Sequence, residues 1–201
     1  MKLPLGTVEN VPLLTREEFD SLEFDAAASG DHATAARQMT MLAATGAETA
    51  GMPRAEAFLR AGEQWLLADD PAEAVDGFRR AMADGGPVFV DPRVPLARAL
   101  FQLGRVAEAQ AIISRLKTEG PADPRICDMI AELLVERGDL EGALEWATAG
   151  VQLCLGQATG PAQSRQPGAA SELPLLLSLR YRIRNDLGLG EDEYDQLLDE
   201  A

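Results

Sequence analysis

Residues 69–81 read Asp-Asp-Pro-Ala-Glu-Ala-Val-Asp-Gly-Phe-Arg-Arg-Ala, and this stretch decides the fold class. Asp70 can cap a helix that begins with Pro71, because its carboxylate accepts free backbone N–H groups and proline has no N–H to satisfy. Glu73 adds a negative charge beside the positive end of the helix dipole. Apolar residues then recur at helical spacing on one face: Ala74, Val75, Phe78 and Ala81. The stretch predicts a tight turn followed by an amphipathic helix.

The same unit recurs along the chain with a period near 34 residues. The segments that superpose without internal gaps are 55–81, 90–116 and 124–150. The small residues at one point of the unit lie 35 and 34 residues apart: Ala74, Ala109 and Ala143. A looser copy precedes them, with Gly30–Ala35 at the same point. Each unit reads as two amphipathic helices, which cannot bury their apolar faces alone, so the units are expected to stack.

At these positions the chain resembles the tetratricopeptide repeat (TPR) family. The clearest copy matches the family pattern at Phe58, Gly62, Trp65, Ala74, Phe78 and Ala81, and the next at Leu96, Ala97, Leu100, Ala109, Ile113, Leu116 and Pro121. The third copy matches at Cys127, Ala131, Leu134, Ala143 and Ala147. The resemblance implies an all-α fold, a right-handed α-solenoid of antiparallel helix pairs forming a TPR-like superhelix.

The expected organisation places four helix pairs between two ends of different character. An extended arm covers residues 1–14, and Thr15 with Glu18 forms a capping box at the first helix. The helix pairs are expected at 16–49, 55–86, 90–121 and 124–152. A polar, flexible loop is expected at 155–170, followed at 171–201 by a C-terminal capping helix and a short acidic helix near 191–198. Arg182–Leu189 also resembles the tail of bacterial TPR proteins that carry a SEC-C zinc module, whose cysteine cluster is absent here.

Charge and composition exclude whole classes of function. The 201 residues include 18 Lys and Arg against 33 Asp and Glu, a formal net charge of −15, which disfavours nucleic-acid binding. No run approaches the roughly 18 apolar residues of a membrane span, and the N-terminus lacks the apolar core of a secretory signal. Cys127 and Cys154 lie in apolar helical patterns, which predicts buried free thiols and a cytoplasmic protein.

The residues offer little catalytic chemistry. His32 is the single histidine and is predicted to lie in an exposed turn, so nucleophile activation has one candidate base only. Most paired carboxylates, such as Asp69-Asp70, fall at helix starts, where the helix dipole explains them. We expect no enzyme, no cofactor and no metal site; a hydrolase would require a deep polar pocket around His32.

The resemblance implies a partner-binding groove lined by the first helix of each pair. The residues carried over to groove positions are Phe24, Leu59, Glu63, Leu66, Val94, Arg98, Phe101, Asp128, Glu132 and Val135. Leu59, Leu66 and Phe101 are expected to be exposed apolar residues, which favour a binding surface. The groove carries more acids than bases, so the expected partner is another protein's apolar segment that can include a basic residue. The function expected is that of a protein-binding adaptor, and the alternative is a homodimer formed through the groove or the C-terminal helix.

Arg180 and Arg184 share one face of the last long helix because they lie four residues apart. They can pair with acids of this chain or with an acidic partner. In so acidic a chain, a solvated helix face with intramolecular ion pairs is the expected outcome.

Overall fold

The structure, a computed structural model, describes residues 13–48, 51–159 and 169–199. Within these ranges the chain forms nine α-helices, one 3₁₀ helix and an isolated parallel bridge between Leu13 and Ala47. The helices are α1 (Arg16–Ser29), α2 (His32–Thr45), α3 (Arg54–Leu67), α4 (Pro71–Asp84), α5 (Arg93–Gln102), α6 (Val106–Glu119), α7 (Pro124–Glu136), α8 (Leu140–Thr159), α9 (Ala169–Asp186) and the 3₁₀ helix η1 (Asp195–Asp199).

Consecutive helices pack against each other, as in a helical-repeat fold. The chain divides into two compact units, residues 1–109 and 110–201. In the first unit α3 packs against both α2 and α4, and α4 packs against α5; in the second, α8 packs against α7 and α9. This arrangement confirms the predicted all-α helical-repeat class.

Helices α1, α4 and α7 each begin directly after a residue whose side chain caps them. The Asp70 side chain accepts a hydrogen bond from the Glu73 backbone N–H at 3.2 Å, and Pro71 occupies the first turn of α4. Asp123 and Pro124 repeat this arrangement at α7. Thr15 caps α1 by accepting from the Glu18 N–H at 3.3 Å. Each cap satisfies a backbone donor that the helix itself leaves free.

The turn inside each helix pair contains one residue in the left-handed conformation. Its φ angle is 76° at Gly30, 58° at Asp69, 72° at Gly104 and 76° at Gly138. Each of these residues lies five positions before the small residue that begins the buried face of the next helix: Ala35, Ala74, Ala109 and Ala143. The repeat is therefore a repeat of backbone conformation as well as of side-chain size. Asp69 is the exception in residue type, since left-handed geometry favours glycine.

In the second unit the elements differ in extent from the sequence prediction. Helix α8 continues to Thr159, past residue 155, where the sequence predicts a loop. Helix α9 packs against α8 and α7, and Gly188, with a φ angle of 68°, follows its end. The expected acidic helix near 191–198 is the shorter η1. The extended arm predicted before residue 13 and most of the predicted loop, residues 160–168, lie outside the described residues.

Candidate functional site

Helix α3 carries a buried polar stripe along an otherwise apolar core helix. Glu56, Arg60 and Gln64 follow one another at intervals of four residues, so they lie on one helix face, and all three are buried. Burying polar and charged groups is costly unless each finds a partner. The partners of this stripe therefore define the local site.

Arg60 joins α3 to α1 through two carboxylates. Its Nε donates to Glu23 Oε1 at 2.7 Å and its Nη2 to Glu23 Oε2 at 2.5 Å, a two-bond contact, while Nη2 also reaches Asp20 Oδ1 at 2.6 Å. The guanidinium lies 5.6 Å from the centroid of the Phe19 ring. Such forked, charge-assisted contacts are among the stronger polar interactions in proteins. Arg60 is thereby fully engaged with α1, although its buried Nη1 has no hydrogen-bond partner.

Glu63, one turn beyond Arg60, lies half-buried beside further carboxylates. Burial, with a smaller contribution from the charges of Glu56 and Glu23, raises the pKa of Glu63 to about 7, while Arg60 acts in the opposite direction. Among the described residues, none donates a hydrogen bond to this carboxyl. Asp20, Glu23, Glu56, Arg60 and Glu63 together form what we call the acidic seam, four carboxylates with one guanidinium. Glu63 is the member of the acidic seam that receives no hydrogen bond from the described residues.

Two further contacts fix the ends of the stripe. Glu56 Oε2 accepts a hydrogen bond from the backbone N–H of Phe89 at 2.8 Å, in the loop that joins α4 to α5. Gln64 Oε1 lies 2.9 Å from Nδ1 of His32. His32 is half-buried at this contact, so the prediction that it lies in an exposed turn is wrong. The reason is that the first turn of α2, which begins at His32, lies against α3.

The apolar residues predicted to face an open groove do not all do so. Leu59 is only 1% exposed, Phe101 is 7% exposed, and Val94 is also buried. The prediction of exposed surface at Leu59 and Phe101 is therefore wrong. Both residues lie on helices that pack against preceding or following helices, so positions open in an isolated helix pair are covered here. Leu66 is half-buried.

The remaining residues predicted to line the groove differ in their exposure and in the helix on which they lie. Phe24 is 73% exposed on α1, and Arg98 is half-buried on α5. Asp128, Glu132 and Val135 lie on α7, in the second unit. Burial raises the pKa of Asp128 to about 6, assisted by the charges of Glu132 and Glu172. Within the first unit, Glu63 is the predicted groove residue that is half-buried and has a raised pKa.

Sequence reasoning missed the residues that surround Glu63. Arg60 pairs with residues 37 and 40 positions earlier, and no local pattern encodes so distant a partner. A signal was nevertheless present: three polar residues at four-residue spacing interrupt an apolar helix, and two acids, Asp20 and Glu23, share one face of α1.

Comparison with known proteins agrees with this architecture. Residues 66–133 match the tetratricopeptide repeat family model, so this part of the chain belongs to that family of helical-repeat proteins. No curated protein matches the chain. Tetratricopeptide repeats generally mediate protein–protein interaction. None of the described helices combines the length and apolarity needed to cross a bilayer.

Proposed function

We propose that this chain is a non-catalytic adaptor or scaffold that binds a peptide or helix of another protein. The partner segment combines an apolar residue with a basic residue or a free amine, and the binding surface in the first unit is centred on Glu63. The family match supports protein binding in general, and the acidic seam supports this particular partner chemistry.

One observation supports this proposal most directly: the Glu63 carboxyl receives no hydrogen bond from the described residues. Arg60, the nearest cation, is held by Glu23 and Asp20, and Glu56 is bonded to the Phe89 N–H. Glu63 therefore has carboxylate neighbours and no donor of its own among the described residues. A cationic group placed against it would neutralise a half-buried charge, which is more favourable there than at an open surface.

Two exposed aromatic side chains supply the apolar part of this surface. Phe24 directly follows Glu23, and Phe89 is bonded through its backbone to Glu56. Their rings are 73% and 72% exposed. Large exposed aromatics are enriched among the residues that contribute most to binding energy at protein interfaces. We assign the contact with the partner's apolar residue to these two aromatic residues.

The surroundings of the candidate nucleophiles and bases support a non-catalytic role. His32 is engaged by Gln64. Burial raises the pKa of the Cys127 thiol to about 12 and of the Cys154 thiol to about 11, which disfavours the reactive thiolate. Both cysteines are buried and free, which also supports the proposal of a reducing, cytoplasmic setting.

Selection from a random peptide library displayed on phage tests this proposal. We expect peptides captured by the wild-type chain at pH 8 to be enriched in Lys or Arg next to an apolar residue. The Glu63→Gln variant should lose the basic enrichment and keep the apolar one. Glu17→Gln, which removes an exposed carboxylate from α1, is the matched control and should select like the wild type. Equal selection by the wild type and Glu63→Gln would refute the assignment of this site.

Self-association is the second candidate, and the exposure of Phe24 and Phe89 favours it as well. A second copy could cover these rings in place of a foreign peptide. Light scattering coupled to size exclusion distinguishes the two functions: a monomer that still selects basic peptides supports the adaptor, and a stable dimer that selects none supports self-association.

A further inference from the structure

The segment after α9 folds back on that helix. We call residues 189–199 the C-terminal strap; it follows Gly188 and ends in η1. Its contacts with α9 centre on two arginines, Arg180 and Arg184, which face two aspartates of the strap, Asp192 and Asp195. Each arginine contacts both aspartates. The four residues form a closed arrangement of two cations and two anions.

Arg180 is the buried centre of this arrangement. Its Nη1 donates to Asp192 Oδ1 at 2.9 Å and to Asp195 Oδ1 at 3.2 Å, while Nη2 donates to the second oxygen of Asp192. Arg184 lies 3.2 Å from Asp195 and 3.0 Å from Asp192. Arg180 is only 4% exposed. The geometry is that of a bound acidic peptide in a two-arginine site.

One contact of the site, between Arg180 on α9 and Thr148 on α8, does not involve the strap. Arg180 Nε donates to Thr148 Oγ1 on α8 at 3.0 Å, which orients the guanidinium from behind. The strap adds a further contact through Tyr194, whose hydroxyl accepts a hydrogen bond from Gln152 of α8 at 3.2 Å and whose ring lies 4.7 Å from the Arg180 guanidinium. The two arginines lie four residues apart on a rigid helix. A site formed in this way keeps its shape when its occupant changes.

The strap itself is held mainly by polar contacts. Leu189 is exposed, and Leu197 and Leu198 are only half-buried. The attraction within a buried ion pair is largely offset by the loss of hydration of both charges, which hydrate again if the strap leaves. A Cβ atom at Gly188 or Gly190, beside the point where the strap turns, would meet nothing within 4 Å, and the Gly190 carbonyl accepts a hydrogen bond from Arg184 Nη2. The structure therefore combines a rigid acceptor with an occupant that can be exchanged.

We propose that the Arg180–Arg184 face is a docking site for an acidic segment of a partner protein, which the chain's own strap occupies in its absence. The strap defines the partner's pattern: two carboxylates three residues apart, preceded by an apolar residue in the position of Leu189. Leu189 lines an open cavity of about 610 Å³ together with Leu144 and Leu187. This cavity gives room for the apolar side chain of the partner. The partner chemistry is opposite in charge to that proposed for Glu63.

A labelled synthetic peptide with the sequence of residues 188–199 is the probe. By fluorescence anisotropy it should bind a full-length Asp192→Asn, Asp195→Asn variant at least tenfold more tightly than the wild type, whose site is already filled. Glu191→Gln, Glu193→Gln, which removes two exposed charges from the same strap, is the matched control and should bind like the wild type. Adding Arg184→Gln to the first variant should abolish the gain. Equal affinity of the wild type and the Asp192→Asn, Asp195→Asn variant would overturn the proposal.

A second measurement needs no substitution. Excess unlabelled peptide added to the wild-type chain should accelerate amide hydrogen exchange in residues 192–199, while exchange in the interior of α8 and α9 stays unchanged. Unaltered exchange of the strap at saturating peptide would mean that the strap is a permanent cap and would overturn the proposal. A dimer of the wild type that dissociates on addition of the peptide would overturn it too, because the natural occupant would then be a second copy of the chain.

Discussion

Gly62 on α3 lies directly against the ring of Phe78 on α4. A Cβ atom built on Gly62 would lie 2.6 Å from Cε1 and 2.8 Å from Cδ1 of that ring. Both residues are buried, and Gly77 of α4 approaches the backbone of Gly62 at the same level. The separation of α3 and α4 is therefore set by the absence of a side chain at Gly62.

Gly62→Ala should destabilise the fold. The added methyl group must displace the Phe78 ring, and overpacking of this kind costs about 1–3 kcal/mol, more than the gain of up to about 1 kcal/mol in helix propensity. Gly156→Ala in α8 is the control, because a Cβ there meets nothing within 4 Å, and it should be stabilising or neutral. Urea unfolding followed by circular dichroism measures both. A Gly62→Ala variant as stable as the wild type would contradict the close approach.

Arg60→Lys should weaken the contact between α1 and α3. Lysine keeps the charge but cannot make the two-bond contact with Glu23, so we expect a loss of about 1–3 kcal/mol in the free energy of unfolding. Arg115→Lys is the control, because Arg115 pairs with Glu119 at an exposed position and its loss should stay below about 1 kcal/mol. Chemical unfolding of both variants gives the comparison, and equal losses would contradict a special role for Arg60.

Glu63 should make the stability of the chain depend on pH. Its pKa is raised from an ordinary 4.5 to about 7 in the folded chain, so the folded state binds more protons than the unfolded state between these values. The contribution of Glu63 to the free energy of unfolding therefore falls as pH rises from about 4.5 to 7 and stays low above that. Glu63→Gln should be more stable than the wild type at pH 8, by roughly 3 kcal/mol at most, and the difference should vanish near pH 4.

Unfolding curves of Glu63→Gln, Glu17→Gln and the wild type at pH 4, 6 and 8 test this dependence. Glu17 is exposed, so its variant should follow the wild type at each pH. A constant difference between Glu63→Gln and the wild type across this range would show that Glu63 titrates near its ordinary value.

Asp192 should stay ionised well into the acid range. Its hydrogen bonds with Arg180, helped by the N–H of Tyr194, lower the pKa of Asp192 from 3.8 to about 2. A lowered pKa means that the stabilisation is complete above about pH 4 and is lost as pH falls towards 2. The Tyr194 amide donates to Asp192 at 3.0 Å, so its NMR shift should titrate with a midpoint near 2. A midpoint near 3.8 would indicate that the strap is detached in the free chain.

Local signals account for the parts of the fold that were predicted correctly. The Asp70-Pro71 start of α4 and the small residues Ala74, Ala109 and Ala143 depend only on neighbours within one helix pair. The sequence does not indicate that α8 continues to Thr159, because the polar composition after Cys154 is typical of a loop. Apart from Gly156, nothing in 155–159 breaks a helix, and the first proline after Cys154 is Pro161.

The site could be predicted only in part, for a related reason. The resemblance to the family pattern predicts Glu63 as an acid at a groove position, and this remains a prediction. The burial of Leu59 and the pairing of Arg60 with Glu23 depend on helices distant in sequence, whose packing the local period does not specify. The structure confirms the predicted pairing of Arg180 and Arg184 with acids of the same chain. The prediction that this helix face is solvated is wrong at Arg180, which is 4% exposed, because the segment after α9 folds over it.

The left-handed residue of each inner turn has a consequence for engineering this chain. Asp69 adopts the conformation that Gly104 adopts 35 residues later and Gly138 after a further 34, so the three tripeptide connectors are backbone equivalents. Transplanting Leu103-Gly104-Arg105 in place of Ala68-Asp69-Asp70 would relax the unfavourable φ angle of Asp69 but would remove the cap of α4. Changing Asp69 alone to glycine keeps that cap, and it is the simplest substitution expected to raise the stability of the folded chain.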